Sequence, residues 1–281
     1  MKRLVQVVLA VSLVSSLGAC QKADGGGGGG GSNNQPDAAI PQNTTDVSSD
    51  VTTPTTWSGL VKVHAAITVA SGVTLTIDPG TVIQLDAAAG ITVNGTVTAN
   101  GAKGNVVTIG PATGNKYWRQ WTIPSGGVLN LTYVEQTGGA FSISGTAKVM
   151  ARDSEFSNAG NAVDMFVASG GTLDLQYSWL GEPEGTTDTT HCNMHFQGSQ
   201  FTSLTISHSN VSTAAYGIML YGGQVDLTYD NWFGNGVDVD RQATGTGDVS
   251  NGYFKKGNPT ASGSLTANNL ATSMVADAGP R

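Results

Sequence analysis

The sequence predicts an all-β solenoid on three observations: a composition poor in helix formers, short runs with every second residue apolar, and a strand pattern recurring about every 20 residues. Of the 281 residues, 39 are glycine, and only 12% are charged. Gly, Thr, Ser, Asn and Val stand where helical chains carry Leu, Glu, Lys and Ala, which favours extended backbone. Val73-Thr-Leu75-Thr-Ile77 and Ile91-Thr-Val93 alternate apolar with polar side chains, the period of a strand with one buried face.

The recurrence sets the architecture. Segments of the form apolar-x-apolar-x-(Tyr, His or Asp) start at Leu129, Val149, Leu173, Leu204 and Val225, at intervals of 20, 24, 31 and 21 residues. Each is followed, where its partner can be read, by a second alternating run, starting at Phe141, Val163, Met194, Ile218 and Val237. An insertion between Gly181 and Asn193 accounts for the long interval. A unit this short cannot bury an apolar face alone, but it can stack on its neighbours. The expected fold over residues 57–281 is therefore a single-stranded parallel β-helix, with a sandwich or barrel of short strands as the alternative.

With the Leu75-Thr-Ile77-Asp-Pro79-Gly80-Thr81 opening, the Ile91-Thr-Val93-Asn-Gly95 rung and the aligned repeats, the sequence resembles the right-handed parallel β-helix family. This is the architecture of pectate lyases and of many bacterial surface proteins. The resemblance spans roughly Trp57 to Asp240 and implies right-handed winding; it does not fix an activity. In the alignment, Val134, Ser154, Ser178, Ser209 and Asp230 share one column, expected to satisfy turn backbone groups as a polar ladder. Tyr133, Tyr177, His208 and Tyr229 share another, expected to face mostly inward. Trp57 is expected to cap the open end of the stack, where unpaired strand edges invite aggregation.

Ahead of the repeats, Lys2 and Arg3 precede an apolar stretch from Leu4 to Leu17, the layout of a secretory signal. It falls short of the roughly 20 apolar residues that span a bilayer. Leu17-Gly18-Ala19-Cys20 resembles the bacterial lipobox. That resemblance implies a signal peptide over residues 1–19, cleavage before Cys20, lipid on Cys20, and, with Gln21 following, the outer membrane. Acyl chains bind by about 0.8 kcal/mol per buried CH₂, so several together hold a protein without a membrane helix. Residues 20–56 contain an unbroken run from Gly25 to Gly31 and a polar, Thr-rich stretch, read as a flexible tether with a reach of roughly 30–36 Å. No strand precedes and no helix follows the glycines, as a phosphate-binding loop would require.

Charge and cysteine count exclude several classes. Loss of Lys2 and Arg3 takes the 13 basic residues to 11 against 20 acidic, a net charge of −9. Nucleic-acid binding, which depends on basic side chains displacing counterions, is excluded, and acidic polymers are repelled at long range. With Cys20 lipidated, Cys192 has no partner in the chain, and a disulfide scaffold is excluded.

Outward positions of the second strands then read as two surface columns: Ser142, Asp164, His195, Met219 and Asp238, and Ser144, Phe166, Gln197, Tyr221 and Asp240, with Arg241 at the edge. Coils about 4.8 Å apart and alternate residues about 6.6 Å apart would join these into one patch. The candidate ligand-binding residues are Asp164, Phe166, His195, Gln197, Tyr221, Asp238, Asp240 and Arg241. Aromatic faces, amides and carboxylates together suit a sugar surface, so the expected partner beyond the membrane is a polysaccharide or an envelope protein.

Chemistry has two further candidates. Asp238 and Asp240 are spaced compatibly with the roughly 6.5–9.5 Å between the carboxylates of inverting glycosidases. Polysaccharide lyases on the resembled fold use acidic residues to hold Ca²⁺ and a basic residue as base, and here only Arg241 adjoins the acidic pair. His191, Cys192 and His195, with Asp188 and His208 nearby in sequence, offer imidazole and thiolate donors suited to zinc or copper. Against this, adjacent residues on an extended chain point to opposite sides. No cofactor is expected, Ca²⁺ and Zn²⁺ being the ions these residues could take. The favoured reading is a non-enzymatic surface module; a polysaccharide lyase or hydrolase is the alternative.

Overall fold

Apolar residues at alternate positions give most strands one face to bury, and a coiled parallel stack buries those faces in one core. The computed structural model describes residues 43–160, 163–197, 201–241, 246–259, 261–262 and 265–281. The leader, Cys20 and the glycine run lie outside them. The described chain visits three parallel sheets in rotation, of ten, nine and nine strands, as a right-handed parallel β-solenoid of about 8 turns. Among the described residues no helix is long and apolar enough to cross a membrane.

One coil runs through Val134–Thr137 in the first sheet, Ala140–Ile143 in the second and Lys148–Arg152 in the third. The next coil begins at Glu155–Ser157. Leu129, Val149, Leu173, Leu204 and Val225 stand in one register column of the third sheet, as their spacing in the sequence predicts. Strand pairing starts earlier than the expected boundary at Trp57. Thr44–Val47 pairs with Leu60–Val63, Val51 bridges Val69, and Thr55–Trp57 pairs with the next strand of the third sheet. Residues 44–57 thus form an outer coil. Its first strand is mostly exposed, so it carries no apolar alternation to betray it. Trp57 is buried on the edge strand of the third sheet, covering that end of the core.

Aromatic rings pack against one another in the middle coils of the core. Phe141 stacks on Phe166 with centroids 4.3 Å apart, and Phe156 meets both edge-on. Trp121 is fully buried and donates its indole N–H to Gln136 Oε1 at 2.8 Å. The Gln136 amide donates in turn to the Gly139 carbonyl. Burying the indole therefore leaves no polar atom of this chain of contacts unsatisfied.

At the corner between the third and first sheets the polar column forms a ladder. The Val134, Ser154 and Ser178 N–H groups donate to the side-chain oxygens of Ser154, Ser178 and Ser209, and the Ser209 N–H donates to Asp230 Oδ1 at 2.8 Å. Each serine hydroxyl donates to the carbonyl two residues before it. One short side chain per coil thus serves backbone groups in its own coil and the preceding one. Asp230 differs from the serines: burial pushes its carboxyl well above the usual carboxylate range, against the opposing Ser209 hydrogen bond, and Oδ2 has no partner among the described residues.

The residue before each ladder position turns the chain sharply. Tyr133, Asp153, Tyr177, His208 and Tyr229 all have positive φ, from 47° at Tyr133 to 64° at Tyr229. This left-handed backbone is unusual for bulky residues. It puts the ladder side chain inside and its predecessor outside, so the aromatic column faces outward, contrary to the inward expectation. His208 stacks on Tyr177 at 5.0 Å and on Tyr229 at 4.9 Å. The C-terminal segment runs back along this corner. The Val275 N–H donates to Asn231 Oδ1, the Gly279 N–H donates to the His208 carbonyl, and Arg281 donates to both Asp153 oxygens while lying 3.6 Å from the Tyr177 ring centroid.

Candidate functional site

The corner between the first and second sheets carries the longest connections in the middle of the stack. Val134–Thr137 and Ala140–Ile143 are separated by two residues, whereas residues 158–165 lie between Glu155–Ser157 and Phe166–Ala168, and residues 182–191 between Trp179–Gly181 and Cys192–Phe196. The second of these is the insertion expected from the 31-residue interval. It is tied to an earlier coil through Asp188, which pairs with Lys116 and accepts from the Tyr117 hydroxyl at 3.2 Å. The Lys116 hydrogen bond holds the Asp188 carboxyl below its ordinary range.

Where these connections return to the second sheet, backbone bonds bring three segments level. The His191 N–H donates to the Val163 carbonyl, the Met165 N–H to the Cys192 carbonyl, and the Tyr216 N–H to the His191 carbonyl. Asp164 therefore lies beside the His191-Cys192 dipeptide of the next coil. Its Oδ1 is 2.9 Å from His191 Nδ1 and its Oδ2 2.5 Å from His195 Nδ1. Cys192 Sγ lies 3.3 Å from His191 Nδ1. Burial acts to raise the Asp164 pKa, but its bonds to His195, His191 and Cys192 outweigh that and hold it below the ordinary carboxylate range. Burial, reinforced by the Asp164 charge, pushes the Cys192 thiol far up, so without a cation it is a protonated thiol and no nucleophile.

Around this cluster the strand is fixed from within. The Thr190 hydroxyl donates to Asn193 Oδ1, and the Asn193 amide donates to the Leu180 and Ser212 carbonyls. The imidazoles are held by aromatic rings: His195 stacks on Tyr221 at 5.3 Å, and His191 meets Tyr216 edge-on at 5.2 Å. Adjacency does not separate His191 from Cys192, because His191 precedes the strand, which starts at Cys192. Alternation has no hold on a corner residue.

The outward columns differ in part from the sequence reading. Val167, His195, Met219 and Asp240 share one column, so His195 and Met219 are placed as expected and Val167 replaces Asp164. Backbone bonds from Gln197 to Ala168 and from Tyr221 to Phe196 place Ser169, Gln197 and Tyr221 side by side on successive coils. Phe166 is not on this surface; it pairs in register with Phe141 and lies in the core. The second-sheet strand in that coil is Phe166–Ala168 and not the run starting at Val163, and this three-residue slip reverses which residues point outward. The aromatic stack with Phe141 and Phe156 selects the observed register.

The carboxylate pair is covered although it stands on the outer side of the strand. Asp238 is 2% exposed and accepts from Asn235 Nδ2 at 3.2 Å; Asp240 is 4% exposed despite its outward register. Asp238 borders a depression of about 340 Å³ shared with Trp232, Asn235, Lys255 and Lys256. Arg241 is in register with Leu220, a core position one coil earlier. Asp164, His191, Cys192, His195, Gln197 and Tyr221 are thus grouped on one corner and face, while Phe166, Asp238, Asp240 and Arg241 are not arranged as an open patch with them. Tyr216 is the residue the sequence reading missed; its position one coil beyond Cys192 was legible only once the strand began there. His208 stands at the opposite, turn-bearing corner with the aromatic column, apart from the His191 cluster. No family model, curated protein or solved structure matches the chain.

Proposed function

We propose that this chain is an exported, non-enzymatic recognition module, held to the outer membrane by lipid on Cys20 and binding envelope polysaccharide through the outer face of its second sheet. The observation that carries the reading is the exposed ring of Tyr221, 39% accessible, stacked on His195 and beside Gln197 where successive second-sheet strands end. An aromatic face takes up the apolar side of a pyranose, and amide and imidazole groups bond its hydroxyls. The lipid anchor rests on the Leu17-Gly18-Ala19-Cys20 motif. The likeness to pectate lyases rests on the repeats and supports an architecture only, since a fold hosts many functions.

The polysaccharide-cleaving alternative has less support. It needs Asp238 and Asp240 to face one substrate, whereas both carboxylates are buried and Asp238 is turned toward Asn235.

A glycan array probed with the full chain tests the proposal. Binding to a polysaccharide that falls at least tenfold in Tyr221→Ala, with no loss in Tyr229→Ala on another corner, supports it. Absence of binding to any glycan overturns it in favour of a protein partner.

A further inference from the structure

We propose that Asp164, Cys192 and His195 form a divalent transition-metal site suited to Zn²⁺, in which His191 is the outer partner that orients the carboxylate. The inference uses the corner cluster and does not depend on glycan binding.

The donor geometry is the first argument. One oxygen of Asp164, Cys192 Sγ and one ring nitrogen of His195 all lie within 4.8 Å of one another. Around a tetrahedral Zn²⁺ with bonds of roughly 2.0–2.3 Å, donor atoms are separated by roughly 3.3–3.6 Å. The 2.5 Å contact between Asp164 and His195 would open by about 0.8–1 Å, and the longest separation, at most 4.8 Å, would close by up to about 1.2 Å. Side-chain torsions of three residues can supply that. The carboxylate is suited to the role because its two oxygens already have different partners: Oδ2 faces His195 and Oδ1 holds His191 at 2.9 Å. With an ion on the Oδ2 side, His191 keeps its bond to Oδ1, the carboxylate–imidazole pairing that commonly orients metal ligands.

The donor set is the second argument. A thiolate, an imidazole and a carboxylate suit Zn²⁺ and argue against Ca²⁺ or Mg²⁺, which take oxygen ligands. The site is also built around: Thr190 and Asn193 bracket His191 and Cys192 in sequence and lock their backbone from inside, and Tyr221 and Tyr216 brace the two imidazoles. Such a shell costs little reorganisation when the ion enters. Three protein ligands leave a fourth position for water or an exogenous group, as in catalytic zinc sites.

The test uses tag-free full chain carrying Cys20→Ser, so that Cys192 is the remaining thiol. Titration with Co²⁺ is followed by absorbance, and Zn²⁺ competition gives the Zn²⁺ affinity. The account expects one ion per chain, a near-ultraviolet thiolate-to-Co²⁺ charge-transfer band, and its abolition in Cys192→Ser. Zn²⁺ affinity falls at least about 100-fold in His195→Gln and about 10- to 100-fold in His191→Ala, and is unchanged in His208→Ala. His195→Gln and His191→Ala alter partly exposed side chains, so they keep the test decisive if Cys192→Ser fails to fold. Absence of ion binding by the parent chain, or binding without the charge-transfer band, overturns the proposal and leaves the cluster as a hydrogen-bonded corner. Undiminished affinity in His195→Gln does the same.

Discussion

Asp230→Ser should make the protein more stable above about pH 4.5, and the gain should grow with pH. Asp230 ends the ladder of Ser154, Ser178 and Ser209, is fully buried, and receives one hydrogen bond from the Ser209 N–H. Desolvation raises its folded-state pKa well above the usual range. A carboxyl whose pKa is higher in the folded than in the unfolded state binds an extra proton when folded. Its contribution is intact below its ordinary pKa of about 3.9 and is lost as pH rises toward the folded value. One proton of difference corresponds to a slope of about 1.4 kcal/mol per pH unit. Serine restores the side chain used elsewhere in the column and has nothing to titrate. Urea denaturation of both proteins at pH 4.5, 5.5 and 6.5 measures the difference. With a slope of about 3 kcal/mol per M urea, the midpoints should separate by roughly 0.5 M further for each pH unit. Parallel pH dependence in the two proteins would refute the buried, neutral Asp230.

Ser178→Ala removes an acceptor for the Ser154 N–H and a donor to the Gln176 carbonyl, and should cost about 1–3 kcal/mol in chemical denaturation; a change under 0.5 kcal/mol would show the ladder to be ornamental. Phe166→Ala should cost about 3–5 kcal/mol, as deletion of a packed core aromatic does, whereas Gln197→Ala should stay within about 0.5 kcal/mol; equal effects would contradict the register that buries Phe166. Arg281→Ala should release the C-terminal segment from Asp153 and Tyr177, read as faster hydrogen exchange at the Gly279 amide with no change at Val134, and unchanged Gly279 exchange would count against the strap.

The residues that announced themselves in the sequence are those whose spacing survives every coil. Leu129, Val149, Leu173, Leu204 and Val225 lie within third-sheet strands of five to seven residues, and their common local pattern makes their register column legible. The serine ladder could be read for the same reason, being a fixed distance behind them. The second sheet follows a corner of variable length, and there counting fails. The run at Val163 alternates as convincingly as a strand, but the core selects Phe166 to stack on Phe141, moving Asp164 to the corner and Phe166 inside. The aromatic column was misjudged because left-handed backbone at Tyr133, Tyr177, His208 and Tyr229 is not signalled by glycine. Thr44–Val47 passed for tether because an exposed outer strand needs no apolar face. At the site, His191, Cys192 and His195 were visible as a cluster, while Asp164, 27 residues before His191, became their partner only through the coil stacking.

The working face of the solenoid can be located by placing one arginine on each of its three sides and measuring binding to the same glycan array. Met219→Arg alters the outer face of the second sheet, Met150→Arg the exposed third sheet and Glu135→Arg the exposed first sheet. Met219→Arg alone should abolish polysaccharide binding, with all three variants retaining the parent far-ultraviolet circular dichroism. Full binding by Met219→Arg, or loss confined to Met150→Arg or Glu135→Arg, would contradict the assignment of the second sheet as the recognition surface.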